Sequence, residues 1–179
     1  MTNAGLHLKR IESSTELDPA RTLAREFGDW ATQQVREQLG IVIPTDADHP
    51  NEALDELLAS GGRLYIAEFD RQPAGIGGLK RLSGTSAEIK RMFVRPTTRQ
   101  RGVGRAILQQ LINDAHELGY DTVYLESARF MTSAHALYQS AGFVPCDAYP
   151  GREFESVDDH NISLFMRLDL SHEHHVTVP

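Results

Sequence analysis

The sequence predicts one α/β domain, in which a mixed, mostly antiparallel central sheet of about six to seven strands is flanked by about four helices. Three observations predict this class. Short runs of alternating apolar residues indicate half-buried strands, and apolar residues three and four positions apart indicate amphipathic helices. In the second half a helical segment separates two strand-like runs, which favours a parallel pair. The length of 179 residues suits a single domain, assigned to residues 1–170.

The first half begins with a strand and continues with two helices. Leu6–Ile11 alternates as a strand, and Ser14 or Thr15 stands where a helix N-cap belongs. Helical periodicity then continues up to Gly40, a residue type that commonly ends helices. After a loop over residues 41–50, a short second helix is predicted over residues 52–59.

Three antiparallel strands are predicted next, at Leu64–Phe69, Ala74–Leu79 and Ala87–Val94, and the first two form a hairpin. A helix follows over residues 103–118. The remaining elements are a strand at Asp121–Glu126, a helix over about residues 131–141, a strand that starts at Phe143, and a last strand at Ile162–Leu168. Residues 171–179 hold three histidines and are expected to form a flexible tail rather than a metal site.

The composition disfavours several classes of partner and site. A net charge of −7 argues against nucleic acid, which needs a broad basic face. No apolar run reaches the ~18 residues of a membrane span, and no secretory signal pattern is present, so a cytoplasmic protein with no membrane partner is expected. Cys146 is the only cysteine, which excludes an internal disulfide and a multi-cysteine zinc site. The oligomeric state stays open, and a homodimer is compatible with the sequence.

Basic residues concentrate in one segment. Residues 88–105 hold six of them against one acid, a local charge of +5 on a chain whose total is −7. The same segment contains Gly102-Val103-Gly104 at the predicted start of a helix. Glycines let a ligand approach the backbone, and the unpaired N–H groups of a helix start favour an anion. The segment therefore predicts a phosphate-binding turn.

Two common phosphate-binding motifs do not match this turn. A P-loop requires Gly-Lys-Ser/Thr, whereas Gly104 is followed by Arg105-Ala106. A dinucleotide fingerprint requires a third glycine, and Ile107 stands in its place. A P-loop-like nucleotide protein therefore stays only as the weakest of the alternatives.

Two motifs in the second half carry a family resemblance. Arg99-Gln100-Arg101-Gly102-Val103-Gly104 resembles the Arg/Gln-x-x-Gly-x-Gly acetyl-CoA motif of the Gcn5-related N-acetyltransferases (GNAT). Downstream, the segment from Ala134 to Phe143 is similar to that family's A-x-x-L-Y-x-x-x-G-F pattern. The resemblance extends from about Arg63 to Val144. It implies the GNAT fold and acetyl-CoA as co-substrate, with no metal.

The resemblance also implies which residues bind the coenzyme. The strand residues Met92, Phe93 and Val94 match the segment that lies along the pantetheine, where a bulge would free a backbone N–H for the thioester oxygen. The turn that matches the diphosphate site consists of Arg99, Gln100, Arg101, Gly102, Val103, Gly104 and Arg105. Met131 departs from the family pattern, because an asparagine that contacts the coenzyme often stands there. Thr132 and Ser133 are candidate substitutes.

Three residues are candidates for proton transfer. Tyr138 matches the family position for the acid that protonates the departing thiolate. Glu88 matches the strand glutamate of histone-type members and is the first choice as general base. Glu126 matches the position used by ribosomal-protein alanine acetyltransferases, and some members use ordered water instead.

The predicted function is transfer of an acetyl group from acetyl-CoA to a primary amine of a small molecule or peptide by direct attack. The alternative is an acyl-CoA-binding regulatory module without turnover. Tyr138 and the two candidate carboxylates favour the enzyme, since a sensor would not need them. The residues that select the acceptor are expected within Ile41–Gly62 and Pro145–Asp159.

Overall fold

The computed structural model describes residues 5–40, 50–151 and 162–170. Its described strands are β1 Leu6–Arg10, β2 Arg63–Phe69, β3 Gln72–Arg81, β4 Ser86–Val94, β5 Thr122–Ala128, β6 Val144–Cys146 and β7 Ser163–Asp169. Its described α-helices are α1 Asp18–Leu39, α2 Pro50–Leu58, α3 Val103–Glu117 and α4 Thr132–Ser140. The histidine-containing tail at 171–179 and most of the predicted loop after α1 lie outside the described residues.

The strands form one sheet of seven in the order β1-β2-β3-β4-β5-β7-β6. Neighbouring strands are antiparallel except β4 and β5, which are parallel and are connected through α3. The predicted fold class is confirmed, including the parallel pair. No helix in the described part of the chain is long and apolar enough to cross a membrane.

The start of α1 differs from the prediction. Neither Ser14 nor Thr15 is the N-cap, because these residues belong to a 3-10 turn and α1 begins only at Asp18, after Leu17. A proline follows in the first turn, where its missing N–H costs nothing. The predicted end is confirmed: Gly40 has φ of 68° and donates its N–H to Arg36 O at 3.1 Å.

The hairpin between β2 and β3 is tighter than predicted, since the predicted strand bounds leave residues 70–73 as the link. Only Asp70 and Arg71 separate the strands, and both have positive φ, 50° and 65°. Positive φ at both central residues is the requirement of a type I′ turn, whose twist matches that of the flanking strands.

Two hydrophobic cores cover the two faces of the sheet. On one face α3 and α4 pack on β2 to β5 and β7, with buried residues that include Ala87, Ile89, Ile107, Leu111, Val123, Leu125, Tyr138 and Met166. On the other face α1 and α2 pack on β2, β3 and β4 through a second buried cluster that includes Leu17, Leu23, Leu54, Leu57, Leu64, Ile66, Ile76 and Phe93. Tyr124 and Arg167, on the same side of β5 and β7, line a surface cavity.

The glycines of β3 let helices pack closely on both faces. A Cβ added at Gly77 would lie 2.5 Å from Ile107 Cγ2 of α3 and 2.7 Å from Met92 Sδ. A Cβ at Gly78 would lie 2.5 Å from Leu57 Cδ1 of α2 on the opposite face. The strand contributes little side-chain volume because the helices fill that space.

Replacing Gly77 with valine is expected to lower the free energy of unfolding by about 1–3 kcal/mol, since the new methyl groups overpack the contact with α3. Urea unfolding followed by circular dichroism measures this change. Gly84→Val is the control, because a Cβ at Gly84 meets nothing within 4 Å and should change stability by no more than ~0.5 kcal/mol. Equal losses in the two variants would contradict the packing argument.

Candidate active site

The strands β4 and β5 separate part-way along their length. Their four Cα pairs run from Ser86↔Thr122 to Ile89↔Leu125. Beyond these pairs β4 continues to Val94 and β5 to Ala128 without pairing to each other. The edge of β4 that faces β5 is therefore open in its second half, immediately before the turn that leads into α3.

A β-bulge lies in this second half of β4. Ile76 is opposite Phe93 and Gly78 is opposite Lys90, so that Gly77 faces two residues instead of one. Arg91, one of these two, has φ of 58°. Bulges bend a strand and leave a residue out of the ladder, which frees backbone groups for a ligand. The bulge at Arg91 and Met92 directly precedes Phe93 and Val94, the rest of the predicted pantetheine segment.

The bulge sends the side chains of the predicted pantetheine segment into both cores. Met92 and Val94 pack against the core under α3. Phe93 is buried on the opposite face, where its ring centroid lies 5.7 Å from that of Phe27 and 6.3 Å from that of Trp30. The side chains are used for packing, which leaves the backbone of this segment as the part that can contact a ligand.

The turn before α3 presents a row of unpaired N–H groups. From Gln100 to Arg105 no backbone N–H has a hydrogen-bond partner among the described residues, and Gly102 supplies no side-chain cap to α3. Gln100 and Gly102 both have positive φ, 61° and 82°, and such left-handed positions turn successive N–H groups toward one point. Buried or ligand-facing N–H groups require acceptors, and a diphosphate supplies them at a helix start.

Side chains around this turn hold it in place. Arg99 donates from Nε to Val94 O at 3.1 Å, and its guanidinium carbon lies 5.0 Å from the centre of the Trp30 ring of α1. Arg101 lies over Phe69 at 5.3 Å. Arg105 is exposed on the first turn of α3. The predicted coenzyme residues of this turn are thus contiguous in space and carry positive charge.

Gly104 and Tyr138 mark where α3 and α4 approach β4. A Cβ at Gly104 would lie 3.3 Å from Leu137 Cδ2 of α4 and 3.5 Å from Val94 Cγ2. Tyr138, which follows Leu137 in α4, is buried, and its ring centroid lies 6.0 Å from that of Phe143. These contacts bring the predicted acid and the predicted diphosphate turn to the same end of β4.

The Tyr138 hydroxyl has no hydrogen-bond partner among the described residues. The fully buried side-chain atoms without a partner there belong to three other residues, Arg63, Glu88 and Asp114. The exposed fraction of Tyr138 is 6%. Burial raises the pKa of Tyr138 to about 12, so the phenol is protonated at neutral pH.

Glu88 is a buried carboxylate on β4. Its exposed fraction is 2%, Oε1 accepts a hydrogen bond from the Tyr149 hydroxyl at 2.8 Å, and Oε2 lies 3.9 Å from Lys90 Nζ. Burial raises the pKa of Glu88, and Lys90 and Tyr149 oppose that shift in part. A buried carboxylate with a raised pKa beside other charged groups is a candidate for proton transfer.

Glu126 shares this face of the sheet with Glu88. Glu88 is directly opposite Tyr124 on β5, and residues two apart on a strand point to the same side, so Glu126 follows Tyr124 on that side. Its Oε1 accepts a hydrogen bond from Ser163 Oγ at 2.6 Å. The structure therefore brings both candidate bases to one face, and Tyr138 lies in the core on the other.

Two contacts of these glutamates had no sequence signal. Tyr149 lies 61 positions from Glu88, and Ser163 lies 37 positions from Glu126. Neither belongs to a motif. Met131, the departure from the family pattern, stands at the N-cap of α4, where its sulfur is 3.7 Å from Ser127 Oγ. Among the described residues no group of three or more His, Cys, Asp or Glu side chains suits a metal ion.

Comparison with known proteins identifies a family for this chain. Residues 60–145 match the family model of the acetyltransferase (GNAT) domain. The IAA acetyltransferase of Azospirillum brasilense is 30% identical over 158 residues, which cover 85% of this chain and 99% of that protein. The N-acetyltransferase YjgM of Escherichia coli (strain K12) is 28% identical over 122 residues, covering 64% of this chain and 73% of that protein.

Solved structures share the fold. An acetyltransferase of the GNAT family from Staphylococcus aureus superposes with a TM-score of 0.71 at 24% identity, covering 92% of this chain and 100% of that one. The protein yncA from Salmonella typhimurium, solved with its cofactor acetyl-CoA, superposes with a TM-score of 0.64 at 17% identity, covering 96% of each chain. The motifs, the fold and the relatives agree, and the chain therefore belongs to the GNAT family of acetyl-CoA-dependent N-acetyltransferases.

Proposed function

We propose that this acyltransferase moves the acetyl group of acetyl-CoA to a primary amine by direct attack of the amine on the thioester. The observation that carries the proposal is the opening between β4 and β5. It lies beside a bulge in β4 and beside the backbone N–H groups of residues 100–105, which have no partner within the described part of the chain. A diphosphate at the turn and an extended chain along the open strand edge would satisfy groups that otherwise lack partners.

The proposed binding residues act mainly through the backbone. The N–H groups from Gln100 to Arg105 would hold the diphosphate, with added charge from Arg99, Arg101 and Arg105. The open backbone edge from Met92 to Val94 would hold the pantetheine, and a donor freed by the bulge would stabilise the thioester oxygen as it becomes negative. Because backbone groups make these contacts, coenzyme binding should depend more on the glycines than on the identity of neighbouring side chains.

Two protein side chains transfer the protons that the acetyl-transfer reaction requires. The amine nitrogen forms the new bond to the carbonyl carbon, and the carbon–sulfur bond breaks with its electron pair going to sulfur. Glu88 takes the proton that the nitrogen loses, and the Tyr138 hydroxyl gives its proton to the thiolate. The products are an amide and the free coenzyme thiol. Glu126 is the second candidate for the base.

Release of the free thiol tests the proposal directly. Acetyl-CoA is mixed with the protein and a panel of amino acids, polyamines, aminoglycosides and peptides with free N-termini or lysines, and the thiol is measured with a chromogenic disulfide. At least one amine should give thiol release above the hydrolysis background, with acetylated amine detected by mass spectrometry. Coenzyme binding by calorimetry without thiol release for any amine would favour the binding module instead.

Tyr138→Phe is expected to lower kcat by about 10²-fold, the low end for loss of a positioned acid. Stability should change little, because the hydroxyl has no hydrogen-bond partner among the described residues. Tyr120→Phe is the control: Tyr120 is also buried, but its hydroxyl donates to Gly61 O at 2.7 Å, away from the opening. Steady-state kinetics and melting temperatures are compared, and a kcat near that of the unmodified protein in Tyr138→Phe would refute its role.

A further inference from the structure

The Glu88 carboxylate is covered by a tyrosine that comes from the far edge of the sheet. Tyr149 follows β6, which pairs with β7 at that edge. From there it extends back over β7 and β5: its ring meets Phe165 edge-on at 6.0 Å and stacks on Tyr124 with centroids 4.6 Å apart. Its hydroxyl then reaches Glu88 on β4.

The register of the sheet explains how one ring spans this distance. Glu88, Tyr124 and Arg167 form one row of directly paired residues across β4, β5 and β7. Paired residues point to the same face, so Tyr124 forms a platform between Glu88 and the outer strands. Tyr149 lies on this platform and is itself only 4% exposed. Two ring contacts and one hydrogen bond therefore fix its position.

The hydrogen bond distinguishes the two carboxylate oxygens of Glu88. Oε1 accepts from the Tyr149 hydroxyl at 2.8 Å, whereas Oε2 is buried and has no hydrogen bond from the described residues. A hydroxyl that donates to a carboxylate stabilises its charged form and fixes its plane. Oε2 lies 3.9 Å from Lys90 Nζ, beyond hydrogen-bond distance, so it is the carboxylate oxygen that accepts no hydrogen bond from the described residues.

We propose that Tyr149 is a positioning residue for the base: it orients the Glu88 carboxylate through Oε1 and leaves Oε2 as the oxygen that accepts the amine proton. This inference rests on the proposed function, in which Glu88 is the base. Tyr149 itself touches neither reacting atom, and it acts only through Glu88.

The other charged groups around Glu88 set the direction of the expected effect. Two lysines favour the ionised Glu88 carboxylate: Lys90 on the same strand, and Lys80, which is paired with Glu88 on β3. Glu126 on β5 disfavours the ionised form. Tyr149 is the neighbour that donates a hydrogen bond. Burial and Glu126 raise the pKa of Glu88, and the Tyr149 hydrogen bond lowers it. Removal of the Tyr149 hydroxyl should therefore raise the pKa of Glu88 further.

Tyr149→Phe tests this, since it keeps both ring contacts and removes only the donor. The protein is labelled with [5-¹³C]glutamate, the Glu88 signal is assigned with Glu88→Gln, and the carboxyl shift is followed against pH. We expect Glu88 to bind its proton about tenfold more tightly in Tyr149→Phe, the effect of one hydrogen bond to a charged group. For an amine found by the thiol assay, the acid limb of the kcat/KM profile should move to higher pH by the amount that corresponds to this tenfold change. The KM for acetyl-CoA should stay unchanged.

Tyr120→Phe is the matched control, because it also loses a buried tyrosine hydroxyl bond but does not touch Glu88. An unchanged Glu88 titration in Tyr149→Phe, or an equal change in Tyr120→Phe, would overturn the proposal. If Tyr149→Phe does not fold, the unmodified protein still decides: a slowly exchanging Tyr149 hydroxyl proton near Glu88 is expected by NMR, and its absence would refute the bond. The titration needs no acceptor, so a shifted titration without turnover of any amine would refute the proposed function and leave the Tyr149–Glu88 contact established.

Discussion

Gly102→Val is expected to raise the Kd for coenzyme A about 100-fold. Gly102 has φ of 82° at the N-cap of α3, a conformation that valine avoids, so the turn must change shape to accept it. The N–H groups from Gln100 to Arg105 would then no longer converge. Loss of about two hydrogen bonds to a charged diphosphate costs about 3 kcal/mol, which corresponds to the expected factor. Isothermal titration calorimetry measures the Kd.

Gly119→Val supplies a control at the other end of the same helix. Gly119 follows α3 with φ of 76°, and a Cβ there meets nothing within 4 Å. Both variants should lose stability by about 1–2 kcal/mol, the cost of a side chain in the left-handed region. Only Gly102→Val should lose affinity. Equal affinities in the two variants would show that the turn does not hold the diphosphate.

Glu88→Gln is expected to lower kcat by 10²-fold or more, the usual contribution of a positioned base being about 10²–10⁴-fold. The amide keeps the size of the side chain and can still accept the Tyr149 hydrogen bond, so folding should be preserved. Burial raises the pKa of Glu88, and the base must be ionised, so kcat/KM of the unmodified enzyme should rise with pH through that pKa. This acid limb should be absent in Glu88→Gln.

Glu126→Gln discriminates between the two carboxylates. Glu126 accepts from Ser163 Oγ, and the amide oxygen can replace the carboxylate in that bond. We expect a decrease in kcat of less than about 10-fold, below the usual effect of a lost base. The reverse order of effects would assign the base to Glu126. If kcat decreases by less than about 10-fold in both variants, neither glutamate is the base and ordered water becomes the alternative.

Local patterns were sufficient for most of the elements and for the position of the glycine-containing turn before α3. The alternation of β2, β3 and β4 and the glycines before α3 lie within short windows, where neighbouring residues determine the backbone. The parallel pairing of β4 and β5 also followed from the sequence, since a connecting helix between strands favours it. The predicted start of α1 was wrong because Ser14 and Thr15 are equally suited to a 3-10 turn, and the proline after Asp18 favours a helix that begins there.

Contacts across the sheet could not be predicted in the same way. The last strand, β7, inserts between β5 and β6, and no local pattern states which edge a strand will join. This insertion brings Phe165 and Ser163 beside β5, and it sets the distance that Tyr149 must cross to reach Glu88. The partners of both candidate bases therefore depend on strand order, whereas the two glutamates themselves were selected by their match to positions in the family.

The stacking of Arg99 on Trp30 has a practical use. Trp30 is the only tryptophan of the chain, and it lies beside the turn proposed to hold the diphosphate. A guanidinium drawn toward a bound anion would alter the surroundings of the indole and hence the intensity or wavelength of its emission. Intrinsic fluorescence would thus report occupancy of this turn in real time, and stopped-flow mixing could establish whether the coenzyme associates before the amine, without any attached dye.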